Sequence, residues 1–131
     1  SNAGDELDGI DPDGDLLDGT PCKSVLAWSL AYRFPVHRIE PSFQPQEPGE
    51  QATFIAIYRK ADDELGFMEL NPLTAQLLDR IENNSTGQSG RELLQSLAAE
   101  LNYPDAEALV VHGGAALTEL RTAGILLGTR R

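Results

Sequence analysis

Two histidines, one cysteine and a lone carboxylate are the side chains of this chain that could carry metal or nucleophilic chemistry. His37 and His112 have no second histidine, cysteine or carboxylate at metal-ligand spacing, so the sequence predicts no zinc or iron site. Cys22 is the only cysteine, and nothing beside it indicates a nucleophile. Glu69 is set among apolar residues, but one acid is not an acid–base pair. We therefore expect a domain that is not an enzyme and binds no cofactor.

Acidic residues dominate the start of the chain. Seven of them precede residue 20, and no basic residue does. Residues 1–20 contain too few apolar side chains to fold alone, so we interpret them as a tag remnant followed by a solvated acidic linker. Alternating aspartates within residues 11–18 could offer oxygen ligands to Ca²⁺. The glycine comes too early for an EF-hand loop, and no glutamate closes it, so a linker is the favoured interpretation.

Length and charge restrict the remaining possibilities. The chain has 131 residues and a formal charge of −11, and the part after residue 20 carries 14 acidic and 10 basic side chains. We expect a single domain over residues 21–131, taken from a longer protein because the chain has no initiator methionine. No predicted helix has a face rich in Lys and Arg, so DNA binding by this chain alone is not expected. No apolar run has the length of a membrane span, which predicts a cytoplasmic protein.

Three segments have the composition of β-strands. Residues 25–39 are rich in aromatic and β-branched residues, with Pro35 expected at an edge or bulge and Trp28 expected to anchor the linker. Residues 53–59 are apolar on both faces, as in a central strand. Residues 65–70 form a shorter apolar run after a polar turn. Consecutive strands of this kind favour an antiparallel three-stranded sheet.

Three helices are predicted after these strands. Asn71 and Pro72 suit the cap and the first position of a helix, and an apolar stripe follows at helical spacing. Ser89 and Glu92 form a capping box at the start of the second helix. Pro104 is expected to open the third helix, which continues to about residue 123.

Two glycines interrupt the third predicted helix. Gly113 and Gly114 should each cost about 1 kcal/mol relative to alanine, so they indicate a close backbone approach or a break. Gly124 is a plausible residue just past the helix end, and residues 125–127 are expected to return as a short strand. The order predicts an α+β domain, with an antiparallel three-stranded sheet followed by three helices in a winged-helix-like arrangement.

Several separated segments carry a family resemblance. The chain resembles the C-terminal half of HvfC-family proteins in DGDLLDGTP, LAWSLAYRFPVHRI, FMELNPLTAQLLDRI, SGRELL and ILLGTR. The resemblance implies a longer protein whose helical N-terminal half is described as DNA-binding. Such proteins accompany the iron oxidase HvfB and are thought to present a ribosomally made precursor peptide to it. The methanobactin accessory protein MbnC is similar in role.

A looser resemblance suggests where a peptide would bind. The first helix, the two helices after it and the terminal Gly-Ile-Leu are similar to PqqD-like peptide recognition elements, which are winged-helix folds. Those elements hold a leader peptide as an added strand between the third strand and the third helix, a mode that exploits an unpaired strand edge. Carried onto this sequence, the resemblance implies a peptide- or partner-binding site at Leu65, Phe67, Glu69, Val110, Gly113, Gly114 and Leu117.

Two functions follow from the sequence. The first is a non-catalytic accessory domain that recruits a partner oxidase, a precursor peptide or both. The alternative is part of a transcriptional regulator whose missing N-terminal half binds DNA. The basic residues on the second and third helices stand beside acidic ones, Arg91 beside Glu92 and Arg121 beside Glu119, which favours the accessory domain.

Overall fold

The computed structural model describes residues 7–35 and 50–131, which form an α+β arrangement of antiparallel sheets and three helices. The strands are β1 (Ile10–Asp11), β2 (Pro21–Lys23), β3 (Ala27–Pro35), β4 (Glu50–Arg59), β5 (Leu65–Leu70) and β6 (Leu126–Arg130). The helices are α1 (Pro72–Glu82), α2 (Gly90–Glu100) and α3 (Ala106–Ala123). Within the described ranges, no helix combines the length and the apolar character that a bilayer crossing requires.

The predicted antiparallel sheet is present, with strand order β3-β4-β5. β4 is the central strand, as its apolar composition predicts, and Pro35 ends β3 at an edge of the sheet. Side chains alternate between two faces. The inner face carries the buried Ala27 and Ala56 and packs against the helices, whereas the outer face is turned away from them.

Local capping signals set the helix starts. The Asn71 side chain accepts a hydrogen bond from the Thr74 backbone N–H at 2.8 Å, with Pro72 at the first position of α1. The predicted capping box begins α2. The prediction that Pro104 opens the third helix is wrong by two residues, because the carboxylate of Asp105 caps α3 from outside the helix.

A second sheet, with strand order β1-β6-β2, was not predicted. Gly124 ends α3 in the left-handed region at φ 86°, as expected, and the chain then enters β6. β6 extends to Arg130, beyond the short strand predicted at residues 125–127, and lies between two very short strands. The pairing of β6 with residues near the start of the chain joins the two ends of the described structure.

The described part of the acidic segment, residues 7–20, lies against the domain, whereas the sequence predicts a solvated linker. Leu16 is only 6% exposed and belongs to the hydrophobic core. The carbonyls of Leu17 and Gly19 accept hydrogen bonds from the Arg91 and Gly90 backbone N–H groups, at 2.8 and 3.0 Å, and thereby satisfy the first turn of α2. One buried leucine and these backbone hydrogen bonds outweigh a composition that is typical of unfolded chains.

Two aspartates of this segment, Asp11 and Asp15, accept hydrogen bonds from nearby backbone N–H groups. Asp11 accepts a hydrogen bond from the Asp13 N–H, and Asp15 accepts from both Asp18 and Leu17. The hydrogen bonds from the backbone N–H groups of Asp18 and Leu17 lower the pKa of the Asp15 carboxyl. Among the described residues, no group of three or more His, Cys, Asp and Glu is placed to hold a metal ion.

The core lies between the inner face of the sheet, the three helices and β6. Its fully buried side chains are mostly leucines on the helices, among them Leu77, Leu78, Leu94, Leu97, Leu109, Leu117 and Leu120. α3 is continuous through its glycine pair, so the predicted close approach is present and a break is not. A Cβ on Gly113 would lie 2.2 Å from a methyl carbon of Leu94, which shows how closely α2 and α3 pack.

Candidate functional site

The structure separates the predicted site residues into two groups. Leu65, Phe67 and Glu69 are exposed on β5. The α3 residues lie elsewhere: Val110, Gly113 and Leu117 are buried in the core, and Gly114 is half-buried, facing Leu17. Of the seven predicted residues, those on β5 are therefore the most accessible to a partner.

The three β5 residues belong to a larger surface on the sheet. Strand register places Trp28, Ile57 and Phe67 side by side across β3, β4 and β5, and places Leu30, Ile55 and Glu69 in the same way. Leu65 pairs with Arg59 on the same face, next to the row that contains Phe67. We name this surface the outer sheet face and define its apolar part as Trp28, Leu30, Ile55, Ile57, Leu65 and Phe67.

Exposure distinguishes the outer sheet face from the core. Phe67 is 65% exposed, Trp28 49% and Leu65 48%, although each is large and apolar. Ile55 and Ile57 on the central strand are half-buried by their neighbours. Arg59 and Glu69 place one positive and one negative side chain beside the apolar residues. The arrangement is an apolar surface with sparse charges at its margin.

Sequence reasoning missed the β3 and β4 part of this surface. Trp28 is 49% exposed rather than buried as the expected anchor of the linker, and strand register places it on the outer sheet face. The available signal was the alternation of small and large residues from Ala27 to Ala31, which places Trp28 and Leu30 on one face. The alternation does not show which of the two faces the helices cover, because that depends on how the helices pack in the folded domain.

A groove lies between the inner face of β3 and the helices. It has a volume of about 530 Å³ and is lined by Ser29, Ala31, Phe54, Ala75, Gln76, Asp79, Arg80 and Glu100. Arg80 pairs with Glu100 and donates a hydrogen bond to the Ser96 hydroxyl at 3.1 Å, which joins α1 to α2 at this wall. We name this space the β3 groove.

A smaller space lies at the opposite edge of the sheet, where the sequence predicts the peptide site. This β5 notch has a volume of about 100 Å³ and is lined by Met68, Glu69, Leu70, Asn71, Thr74, Ala116, Glu119 and Leu120. It is bounded by β5 and α3, the predicted pair of elements, but it uses a different part of α3. Of the seven predicted residues, only Glu69 lines it.

Cys22, Lys23 and His112 lie on β2 and α3, outside the sheet β3-β4-β5. The Cys22 thiol is half-buried, and burial raises its pKa, which disfavours the nucleophilic thiolate. Lys23 extends its ammonium to the carbonyls of Ser24 and Ala27 and pairs with Glu82 at 3.7 Å. His112 is exposed on α3, as expected for a helix-surface residue, and His37 lies outside the described residues.

Comparison with known proteins identifies the family. The family model described as HvfC C-terminal domain matches residues 24–121, which include β3 to β5 and nearly all of the three helices. No curated protein matches the chain, and no solved structure does. The matched range contains the outer sheet face and the lining of both the β3 groove and the β5 notch. The chain therefore belongs to the HvfC family, of which it carries the C-terminal domain.

Proposed function

We propose that this domain is a non-catalytic binding module that recruits a modifying iron oxidase, its ribosomally made precursor peptide, or both. The observation that carries the proposal is the outer sheet face. Contiguous exposed apolar surface with a polar margin is typical of protein interaction sites. Aromatic side chains such as Trp28 and Phe67 are enriched at the energetic centres of such sites.

The binding free energy that this surface could contribute can be estimated from its exposed side chains. Covering a large apolar side chain stabilises an interface by about 1.5–3 kcal/mol before the costs of association are counted. Phe67 and Trp28 lie on either side of Ile57 in one register row across the sheet, so a single partner surface can cover both. Arg59 and Glu69 lie at the margin, where charges affect orientation and association rate more than affinity.

The comparison with winged-helix peptide recognition elements belongs to the same proposal. It is supported by the chain order, in which β3, β4 and β5 precede α1, α2 and α3. The sheet β1-β6-β2 is an addition to that plan. In this proposal the sheet β3-β4-β5 supplies the binding surfaces, and the second sheet joins the two ends of the described structure.

A matched pair of variants tests the docking face. Phe67→Ser removes an aromatic side chain that is 65% exposed on the outer sheet face, and Val111→Ser removes an apolar side chain that is 69% exposed on α3. Isothermal titration calorimetry would measure binding of each variant to the iron oxidase and to its precursor peptide. We expect Phe67→Ser to weaken binding about 30-fold, as for a hot spot of about 2 kcal/mol, and Val111→Ser to leave it unchanged. Equal affinities for the two variants would contradict the proposal.

A further inference from the structure

We infer that the outer sheet face also pairs with the outer sheet face of a second copy of this chain, around a two-fold axis that runs along the row of Trp28, Ile57 and Phe67. The inference goes beyond the proposed function, because it assigns a second occupant to this surface and depends on neither the oxidase nor the precursor peptide. It combines the apolar character of this central row, the register of the strands and the positions of two charges, Arg59 and Glu69.

Strand register places the two charges symmetrically about the central row. Glu69 follows Phe67 by two residues on β5, and Arg59 follows Ile57 by two residues on β4, which runs in the opposite direction. Side chains two residues apart on one face are separated by about 6.6 Å along a strand. Arg59 and Glu69 therefore lie about 6.6 Å from the central row, on opposite sides of it. The face has a positive end and a negative end, with apolar residues between them.

A two-fold axis along the central row makes these charges complementary. The axis stacks the central row on the central row of the second copy, and it places the negative end of each copy over the positive end of the other. A symmetric dimer requires such a self-complementary surface. In this arrangement Glu69 lies over Leu65 of the second copy, and Arg59 of that copy is one strand spacing, about 4.8 Å, to the side. An arginine side chain spans that distance.

Neither charge has an ion-pair partner among the described residues of one copy. Arg59 donates a hydrogen bond from Nη1 to the Asp63 carbonyl at 2.7 Å, which holds its side chain beside the turn after β4. A guanidinium has five N–H donors, so Arg59 retains donors for a carboxylate. Glu69 is exposed at the other end of the face. Two symmetric Arg59–Glu69 pairs would form across the interface.

The central row supplies the apolar contacts of the interface. Phe67 is 65% exposed and Trp28 49%, so pairing removes apolar surface from water. Two sheets that pack face to face, about 10 Å apart, form the core of a β-sandwich. The apolar part of the face has six side chains, fewer than the roughly 20–30 residues a side of a standard interface. We therefore expect a dissociation constant of about 10–100 μM, and a monomer with an open face at lower concentrations.

Charge reversal tests the pairing of the two ends. Arg59→Glu and Glu69→Arg each replace both attractive pairs by repulsive ones, so each variant should dimerise at least about tenfold more weakly than wild type. Sedimentation velocity over about 1–500 μM would measure the dissociation constants. Glu107→Arg is the matched control, because Glu107 is an exposed acid on α3 and its reversal changes net charge as Glu69→Arg does. Its dissociation constant should stay within about twofold of wild type.

A mixture of the two charge-reversal variants gives the sharpest test. In a dimer with one copy of each variant, the two substituted side chains face one another with opposite charges, and the second pair is the native Arg59 with Glu69. We therefore expect an equimolar mixture to dimerise within about threefold of wild type, although each variant alone is mostly monomeric. A double variant that carries both reversals should dimerise in the same way.

Several outcomes would overturn the inference. One is a wild-type domain that stays monomeric over the whole concentration range, and another is a mixture that dimerises no better than the single variants. Equal dissociation constants for Glu69→Arg and Glu107→Arg would do the same. If circular dichroism showed that Arg59→Glu does not fold, the comparison of Glu69→Arg with Glu107→Arg would still decide.

The dimer and the docking of the oxidase fail separately. The calorimetric comparison of Phe67→Ser with Val111→Ser concerns the oxidase and the precursor peptide, and it can be made below the dissociation constant of the dimer. Equal affinities in that comparison would count against docking alone. A mixture of charge-reversal variants that does not dimerise would count against the dimer alone.

Discussion

Leu16→Ala tests whether the acidic segment is part of the folded domain. The Leu16 side chain is 6% exposed and packs in the hydrophobic core, although residues 1–20 have the composition of a linker. Replacing a buried leucine by alanine usually costs about 2–5 kcal/mol, which combines lost apolar transfer and the cavity left behind. Because Leu16 lies in a turn near the start of the chain rather than within a helix, we expect a loss near the lower end of this range, about 2–3 kcal/mol, in the free energy of unfolding.

Urea denaturation followed by far-ultraviolet circular dichroism would measure this loss, with the slope of the transition compared between variants. Leu7→Ala is the control, since Leu7 is on the same segment but 44% exposed, and a change within about 0.5 kcal/mol is expected. A Leu16→Ala protein as stable as the control would refute the packing of residues 7–20 against α2 and the core.

Two further predictions concern stability. Gly113→Ala places a Cβ 2.2 Å from buried Leu94 and should destabilise the domain by about 1–2 kcal/mol. Gly114→Ala makes an ordinary 3.4 Å contact and should stabilise the domain by up to about 1 kcal/mol. Thermal unfolding of both variants checks this, and equal shifts in their unfolding temperatures would contradict the packing of α2 against α3. Asp15→Asn should reduce stability at neutral pH, because hydrogen bonds from backbone N–H groups lower the pKa of the folded-state carboxyl. The contribution of the Asp15 carboxylate is present above its unfolded pKa of about 3.9 and is lost as pH falls through the lower folded value, so the difference from wild type should vanish in acid; a difference independent of pH would contradict it.

Local sequence signals predicted much of the fold because their physics is local. The cap at Asn71, the capping box at Ser89 and the turn residue Gly124 each act within a few residues of the helix end they define. The strand at residues 65–70 is likewise bounded by a turn and a cap. Tertiary structure confirms these elements without changing them.

The unpredicted features depend on contacts between distant residues. The pairing of β1 with β6 joins Ile10 to Arg130, and no local pattern reports such a pairing. The acidic segment folds because carbonyls near Leu17 meet the first turn of α2, a contact that composition does not reveal. Composition indicates how much apolar surface a segment can bury by itself. It does not indicate the hydrogen bonds and apolar contacts that a neighbouring element provides.

The candidate site was predicted in part for the same reason. The resemblance to peptide recognition elements implies Leu65, Phe67 and Glu69 as binding residues, and the structure has all three exposed. Their neighbours Trp28 and Leu30 were missed, because the outer sheet face is defined by strand register and by the face that the helices leave uncovered. The β3 groove depends on small side chains on one element and charged side chains on two others, which only the assembled structure brings together.

Hydroxyl-radical footprinting of the domain with and without the oxidase tests the central claim most directly, because it reports exposure of individual side chains. Trp28, the only tryptophan, and Phe67 are both exposed on the outer sheet face, and Tyr103 is 41% exposed outside that face, between α2 and α3. We predict that the oxidase protects Trp28 and Phe67 from oxidation and leaves Tyr103 unchanged. Protection of Tyr103, with unchanged oxidation of Trp28 and Phe67, would contradict docking through the outer sheet face.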